Sequence, residues 1–343
     1  MLHLRQFAFA VGALAFGTGL GAPAWAQELT PVRFTLDWRI EGPAAGFMLA
    51  EANGYFEEEG LDVTFDVGNG SVDVIPRVAT GAYDMGFGDI NSLIKFLDED
   101  ASQPIKAIMM IYETPTFSIV GRRSLGITDD PASLEGKTLG APPPDGAFAQ
   151  WPAFVEASGI DTSDITIESI GFPVREPMLA QGDVDAVFGF AFSVILNLKA
   201  QGVPDEDIVP IMMADHGLDL YGNAIMVNTN FAAENPEVVQ GMLRALTRGF
   251  ADAVADPAAG AEAVVAANDI LDVAIETERL TMANEMNIYT PYVQENGFGG
   301  VDMERLDASI EQLGTSIGIS SDISAADVFD DSFLPPAEER MFN

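Results

Sequence analysis

The first candidate for ligand chemistry is the segment 37–41 (DWRIE), directly after the first predicted strand. Trp38 offers a flat apolar face on which a planar ligand can stack. Asp37 and Glu41 can accept hydrogen bonds from amino groups or balance a cation. The alternative is that Trp38 only covers the core and that Arg39 pairs with a neighbouring carboxylate. We predict that Asp37, Trp38 and Glu41 contact a ligand.

Two further loops join a predicted strand to a predicted helix and carry small or polar residues. In GNGS at 68–71, the candidates are Asn69 and Ser71, because small residues before a helix expose N–H groups that suit anions. The lysine and the spacing of a nucleotide-binding phosphate loop are missing there. In the second loop the candidates are Asp89 and Asn91. The alternative for both loops is an ordinary helix N-cap.

The second half of the chain supplies a proline-stiffened loop and a candidate cation. The loop PPPDG at 142–146 carries Asp145 and precedes Phe148. A rigid loop loses less entropy when a ligand binds. Arg175 can grip a carboxylate or sulfonate through two parallel hydrogen bonds. The alternative for Arg175 is a salt bridge with Glu176.

Aromatic side chains at the end of one predicted strand, and a tyrosine and an asparagine just before another, complete the predicted site. These candidates are Phe190, Phe192, Tyr221 and Asn223. Trp151 shares a predicted helix face with Phe148, and such a face is more typical of a core than of a cleft. His216 lies in a predicted loop, and we assign no role to it.

Strands and helices alternate along the chain in the order that positions these loops. Strands are predicted at 32–36, 61–67, 83–88, 105–112, 138–140, 165–170, 185–190 and 224–228. Helices are predicted at 43–53, 72–80, 89–97, 147–158 and 176–181, then at 236–254, 258–268, 275–289 and 303–317, before an irregular tail. Such alternation indicates α/β sheets with parallel strands, whose ligands bind beyond the carboxyl ends of the strands.

This layout predicts two α/β lobes joined by two strands, which is a hinged clamp with the ligand cleft between the lobes. We place the crossings at 116–122 and 221–228. The predicted divisions are a first lobe at 27–118, a second lobe at 119–224, and C-terminal helices at 225–343 that return to the first lobe.

Composition excludes several classes of function. The 53 acidic and 16 basic residues give a formal charge of -37, which disfavours nucleic acid and anionic membranes as partners. The chain has no cysteine, which excludes disulfides, thiolate metal sites and cysteine nucleophiles. We therefore expect no metal and no cofactor.

The first 26 residues predict an exported protein. A weakly basic start, an apolar stretch from about Phe7 to Leu20 and the small-residue site at 24–26 are typical of a secretory signal, so the mature chain is expected to begin at Gln27. The alternative is a membrane anchor, which the short, glycine-rich stretch disfavours. With no cysteine after it, a lipoprotein is excluded. We expect a soluble periplasmic protein.

Four motifs resemble a known family. LDW (36–38), GYFEEEGLDV (54–63), GAYDMGFGD (81–89) and LEGKTLGAP (134–142) resemble the periplasmic substrate-binding proteins of ABC importers, in the branch for nitrate, sulfonates, taurine and thiamine-pyrimidine precursors. The resemblance implies a type II periplasmic-binding-protein fold with the ligand between the lobes, and delivery of a small molecule to an ABC permease and its ATPase. We expect a monomer. One departure is the sequence after LDW, where Arg39 and Ile40 stand in place of the proline and asparagine usual in the pyrimidine-binding branch.

The predicted site holds more carboxylates than cations, which favours an amino-pyrimidine or a similar thiamine-precursor heterocycle. The alternative is a small sulfonate or carboxylate held by Arg175, Ser71 and helix N-termini. A thiamine-pyrimidine synthase resembles the same fold, but its cysteine-rich motif is absent here, so we expect no enzyme. A ligand-binding sensor that serves no transporter is the remaining alternative.

Overall fold

The computed structural model of the chain describes residues 29–319 and 322–342. The predicted secretory signal at 1–26 lies outside the described residues. Among the described residues, no helix combines the length and apolarity needed to cross a bilayer.

The described strands form two five-stranded sheets. The strands are β1 (Thr30–Thr35), β2 (Leu61–Asp66), β3 (Met85–Asp89), β4 (Ile105–Met110), β5 (Phe117–Arg122), β6 (Thr138–Ala141), β7 (Thr166–Ser169), β8 (Ala186–Phe190), β9 (Ile208–Met212) and β10 (Asn223–Asn228). The first sheet has the order β2-β1-β3-β10-β4, and the second has the order β7-β6-β8-β5-β9. The sheets therefore repeat one topology, and each anchors a lobe.

Helices cover both sheets. They are α1 (Ala45–Ala52), α2 (Tyr55–Glu58), α3 (Ser71–Ala79), α4 (Ile90–Glu99), α5 (Gly146–Ala149), α6 (Trp151–Ser158), α7 (Phe172–Gln181), α8 (Ala191–Ala200), α9 (Thr229–Glu234), α10 (Pro236–Ala255), α11 (Pro257–Ala267), α12 (Val273–Ala283), α13 (Pro291–Asn296), α14 (Met303–Ile317) and α15 (Ala325–Val328). Helices α10 and α11 pack on α1 of the first lobe. Helix α14 differs from the prediction, because it lies against α6 of the second lobe as well as α4 of the first.

In each sheet, the strand that directly follows a crossing from the other lobe is antiparallel to its neighbours. β5 pairs with β8 and β9, and β10 pairs with β3 and β4. The segments predicted as crossings are therefore sheet strands, hydrogen-bonded on both sides. The chain passes between the lobes just before them, at 111–116 and 213–222. The limits of the lobes stay a prediction.

Several predicted elements differ in extent. The loop predicted at 172–175 forms the first turn of α7, because Pro173 stands in the first turn, where its missing N–H costs nothing. The helix predicted at 147–158 is interrupted at Gln150 between α5 and α6. The tail predicted as irregular holds α15 and short 3₁₀ turns in its described part. The prediction also missed α2, α8, α9, α13 and β9.

Candidate functional site

A cavity of about 60 Å³ lies between the lobes, at the carboxyl ends of their parallel strands. Its walls are formed by Leu36, Asp37, Trp38, Arg39, Glu41, Pro43, Ala44, Phe47, Gly70, Ser71, Phe87 and Tyr112 from the first lobe, and by Asp145, Gly146, Phe172, Arg175, Phe190, Phe192 and Ser193 from the second. The lobes touch at its rim. A Cβ placed on Gly70, whose φ is 105°, would lie 2.3 Å from the carbonyl oxygen of Pro144. The structure therefore shows the lobes closed.

Asp37 is a buried carboxylate at the end of β1. Its Oδ2 accepts hydrogen bonds from Nδ2 of Asn223, at 2.7 Å, and from the hydroxyl of Ser71, at 3.2 Å. Burial raises the pKa of Asp37 to about 7, although both hydrogen bonds oppose the rise. The side chain is thus fixed in position, and its ionised form is costly unless a ligand compensates it.

Trp38 and Glu41 connect the two lobes across the cavity. Nε1 of Trp38 lies 3.3 Å from Oε2 of Glu41 and donates a hydrogen bond to it. The hydroxyl of Ser193, in the second lobe, donates to the same oxygen at 3.4 Å. The Trp38 ring meets Phe172 of the second lobe edge to face, with centroids 4.4 Å apart. The guanidinium of Arg39 lies over this ring, 4.7 Å from its centroid.

Arg175 is the buried cation of the second lobe's wall. Its guanidinium donates two hydrogen bonds to Glu176, at 2.6 and 2.9 Å, and others to Asp145 and to the carbonyl of Phe188, both at 3.3 Å. Burial lowers the pKa of Arg175, but Glu176 and Asp145 outweigh this effect and raise it overall. The salt bridge with Glu176, considered above as the alternative to anion binding, is therefore present.

The two carboxylate oxygens of Asp145 bind different groups. Its Oδ1 caps α5 by accepting from the backbone N–H groups of Ala147 and Phe148, while Oδ2 faces Arg175. Burial raises the pKa of Asp145, and Arg175 and the capping bonds oppose the rise. The carboxylate thus supports the loop at 142–146 as well as lining the cavity.

Aromatic rings close the inner end of the cavity. Tyr112 meets Phe87, Phe190 and Phe192 edge to face at 5.2–6.3 Å. Among the described residues, no hydrogen-bond partner of the Tyr112 hydroxyl is found. Burial, followed by the charges of Asp37 and Glu41, raises the pKa of Tyr112 well above its usual value. The hydroxyl therefore stays protonated and can donate to a ligand or accept from it.

Of the residues predicted as ligand contacts, these line the cavity: Asp37, Trp38, Glu41, Ser71, Asp145, Arg175, Phe190 and Phe192. The structure places the others off its walls: Asn69, Asp89, Asn91, Phe148, Tyr221 and Asn223. Whether any of them binds a ligand stays a prediction.

The residues off the walls have structural partners. Asp89 caps α4, as its alternative interpretation expected, and Gln150 of the other lobe donates to it at 3.1 Å. Burial raises the pKa of Asp89 to about 6. Asn91 donates to Asp89 and to the carbonyl of Tyr221. Asn223 lies off the cavity wall and donates a hydrogen bond to Asp37.

The rest lie farther from the cavity. Asn69 is exposed. Phe148 packs on Phe188, and the Tyr221 hydroxyl accepts from the backbone N–H of Asp302. Trp151 is partly buried and packs against the core, as the helix-face argument indicated. His216 lies outside the cavity, beside Phe154.

Sequence reasoning did not select several wall residues as ligand contacts, of which the largest or most polar are Arg39, Phe47, Phe87, Tyr112, Phe172 and Ser193. Tyr112 ends a predicted strand, so the rule that selected the other loops would have found it. Phe172 and Ser193 adjoin candidate segments. Phe47 lies on α1 and Phe87 within β3, where their rings pack together with centroids 5.4 Å apart, and neither stands in a loop that follows a strand.

The chain is similar in sequence to proteins of known function. The chain is 28% identical over 242 residues to a riboflavin-binding protein of Chloroflexus aurantiacus, which covers 70% of this chain and 67% of the relative. It is 27% identical to a formylaminopyrimidine-binding protein of Halalkalibacterium halodurans, covering 88% and 90%. It is 30% identical to a 4-amino-5-hydroxymethyl-2-methylpyrimidine phosphate synthase of Aspergillus parasiticus, covering 68% and 70%. The relatives thus include both binding proteins and synthases.

Solved structures agree on the fold. The alkanesulfonate-binding protein of Xanthomonas axonopodis pv. citri superposes with a TM-score of 0.68 at 15% identity, covering 88% of this chain and 99% of that one. The predicted type II periplasmic-binding-protein fold is confirmed. The model of the NMT1/THI5-like family matches residues 43–260. The chain therefore belongs to the NMT1/THI5-like family.

Proposed function

We propose that the chain is the periplasmic substrate-binding component of an ABC importer, which closes its lobes on a flat, amino-bearing heterocycle of the aminopyrimidine class. The observation that carries the proposal is the pairing of the buried Asp37 carboxylate with aromatic walls in an interlobe cavity. Asp37 already accepts two protein bonds through Oδ2. Its other oxygen, with the Tyr112 hydroxyl, would read the polar edge of the ring.

Charge in the cavity supports a donor-bearing ligand rather than an anion. Three buried carboxylates line the walls, from Asp37, Glu41 and Asp145. Arg175, the buried cation among the described wall residues, is already engaged by Glu176 and Asp145. An anionic ligand would be repelled by this excess of carboxylates, whereas a ligand amino group would donate hydrogen bonds to them and lower the cost of their burial.

Size and shape support a single ring. Trp38, Phe172 and Tyr112 present apolar faces and edges around a volume of about 60 Å³. In this closed state, a single ring with short substituents would require the lobes to move apart less than a three-ring flavin would. Lobe closure would bury most of such a ligand, as small-molecule sites generally do.

A binding role, rather than an enzymatic one, fits the cavity's side chains. The chain has no cysteine, and histidine is absent from the described residues that line the cavity. Histidine, the residue most often used for acid–base chemistry, and the cysteine nucleophile are therefore missing from the described walls. We propose an exported, monomeric protein that hands its ligand to a permease and its ATPase.

The test is ligand identification on the purified chain from Gln27 onward. Bound compounds released by gentle denaturation are examined by mass spectrometry. Thermal unfolding is then followed with aminopyrimidines, riboflavin, taurine, alkanesulfonates, nitrate and aromatic carboxylates. A ligand that binds only the folded state raises the unfolding temperature saturably. Stabilisation by an aminopyrimidine supports the proposal. Stabilisation by a sulfonate or carboxylate alone refutes the ligand class, and product formation would refute the binding role.

A further inference from the structure

A buried ion pair on α12 lies just behind the cavity wall. Arg279 and Glu276 are 2% and 1% exposed, and Nε of Arg279 lies 3.0 Å from Oε2 of Glu276. Neither residue lines the cavity, and both lie beyond the residues that match the family model. Helix α12 packs on α11 and on the turn at Gly42–Ala44, so it belongs structurally to the first lobe.

On the first lobe, this pair fixes the loop that carries Glu41. Oε2 of Glu276 accepts a 2.6 Å hydrogen bond from the backbone N–H of Gly42. The approach is so close that a Cβ on Gly42 would lie 2.6 Å from the Glu276 carbonyl oxygen. Nη1 of Arg279 lies 3.8 Å from Oε2 of Glu41. The cation therefore offsets the charge of a carboxylate that faces the ligand.

On the second lobe, the same guanidinium holds the start of α8. Nη1 of Arg279 donates to the carbonyl oxygens of Phe192 and Ser193, both at 3.3 Å, and Nη2 donates to Oδ1 of Asn197 at 3.1 Å. Phe192 and Ser193 line the cavity. One side chain thus reaches from a first-lobe helix to the backbone of the second lobe's wall.

We propose that Arg279, oriented by Glu276, is a positioning residue that couples lobe closure to ligand binding. In the closed state it sets the distance between the Glu41 loop and the start of α8. Opening would break its bonds to α8 but leave its bonds to Glu276 on the same helix. The closed state alone gains these charge-assisted bonds, which are stronger than neutral ones. This inference rests on the proposed function, since it concerns how the same cavity closes.

The first measurement is the distance between the lobes, which needs no ligand. Because the chain has no cysteine, Thr64→Cys and Glu168→Cys place two spin labels selectively, one on an exposed position of β2 and one on β7. Pulsed electron resonance then gives the distance distribution. We expect Arg279→Gln to shift this distribution to longer distances in the ligand-free protein. An unchanged distribution would overturn the proposal.

The second measurement is binding of a defined probe, 4-amino-5-hydroxymethyl-2-methylpyrimidine. We expect Arg279→Gln to weaken its binding by about tenfold or more, mainly through faster dissociation, because removing a buried hydrogen-bonded charge acts on the off-rate. Equal affinity and equal dissociation rates in the variant and the wild type would contradict the proposal. If the wild type does not bind the probe, the ligand class fails, and the distance measurement still decides the role of Arg279.

Matched variants separate closure from general stability. Lys199→Gln removes another contact between α8 and α12, the more exposed pair of Lys199 with Glu278 at 3.0 Å; it should leave the distances and the affinity unchanged, because exposed pairs contribute little. Asn197→Ala removes an acceptor of Arg279 while leaving the buried pair with Glu276 intact. Asn197→Ala should shift the distances in the same direction as Arg279→Gln. If Arg279→Gln does not fold, the result for Asn197→Ala decides whether Arg279 favours closure. A shift by Lys199→Gln equal to that of Asn197→Ala would refute a specific role for Arg279.

Discussion

Replacing Asp37 by asparagine should stabilise the ligand-free protein while abolishing ligand binding. The variant keeps a carbonyl oxygen that can accept from Ser71 and Asn223, as Oδ2 does now. It removes the charge whose burial raises the pKa of Asp37 from 3.8 to about 7. Opposite effects on stability and binding are expected of a residue retained for its function.

The magnitude follows from the pKa. Because each tenfold change in proton affinity is worth about 1.4 kcal/mol, the rise corresponds to about 4 kcal/mol as an upper limit. The folded state binds the Asp37 proton more tightly than the unfolded state does. This contribution to stability is therefore fully present below the unfolded pKa, and it is lost as the pH rises towards about 7. Asp89, whose burial raises its pKa to about 6, acts in the same direction.

The assay is urea unfolding of the ligand-free protein at about pH 5 and about pH 8. At the higher pH, Asp37→Asn should have a larger free energy of unfolding than the wild type. The change in this free energy between the two pH values should be smaller in the variant than in the wild type. Asp62→Asn, at an exposed position of β2, is the control and should change neither. If Asp37→Asn is less stable at the higher pH and keeps the full pH dependence, the argument from burial is refuted. If its aminopyrimidine affinity is unchanged, Asp37 is not a ligand contact.

Three further substitutions test the walls and the rim of the cavity. Trp38→Ala should weaken binding of a flat ligand by about 1–3 kcal/mol, the usual worth of ring stacking, with little change in unfolding; unchanged affinity in calorimetric titration would mean that the cleft is misplaced. Arg175→Met should cost about 3–5 kcal/mol of stability, because it leaves buried carboxylates without their cation, and chemical unfolding that shows no loss would contradict this. Gly70→Ala should hold the lobes apart, since its Cβ would meet the Pro144 carbonyl oxygen at 2.3 Å, whereas at Gly54, also at positive φ, the nearest atom is 3.6 Å away. Small-angle scattering with ligand should show a larger radius for Gly70→Ala than for Gly54→Ala, and equal radii would refute the contact.

Local patterns in the sequence selected part of the cavity wall, including Asp37, Trp38, Glu41 and Ser71 in the first lobe. Trp38 and its neighbouring carboxylates were found because they directly follow a strand, and in an α/β sheet such positions reach the ligand cleft. The same rule selected Asp89, which proves to cap α4. A cap and a ligand contact use the same residue types at the same strand end, so the pattern alone does not separate them.

The sequence by itself determined the alternation of strands and helices, the two-lobed fold, and the loops that meet between the lobes. These features depend on short-range periodicity and on turn residues, which are recognisable from residues close together in the sequence. The side of a strand or helix that faces the cavity also depends on what packs behind it. Asp37 accepts a hydrogen bond from Asn223, and Glu41 forms an ion pair with Arg279. Each partner is more than 180 residues away along the chain. Only the tertiary structure brings such partners together, because burial and charge pairing between distant segments leave no periodic signal in the sequence.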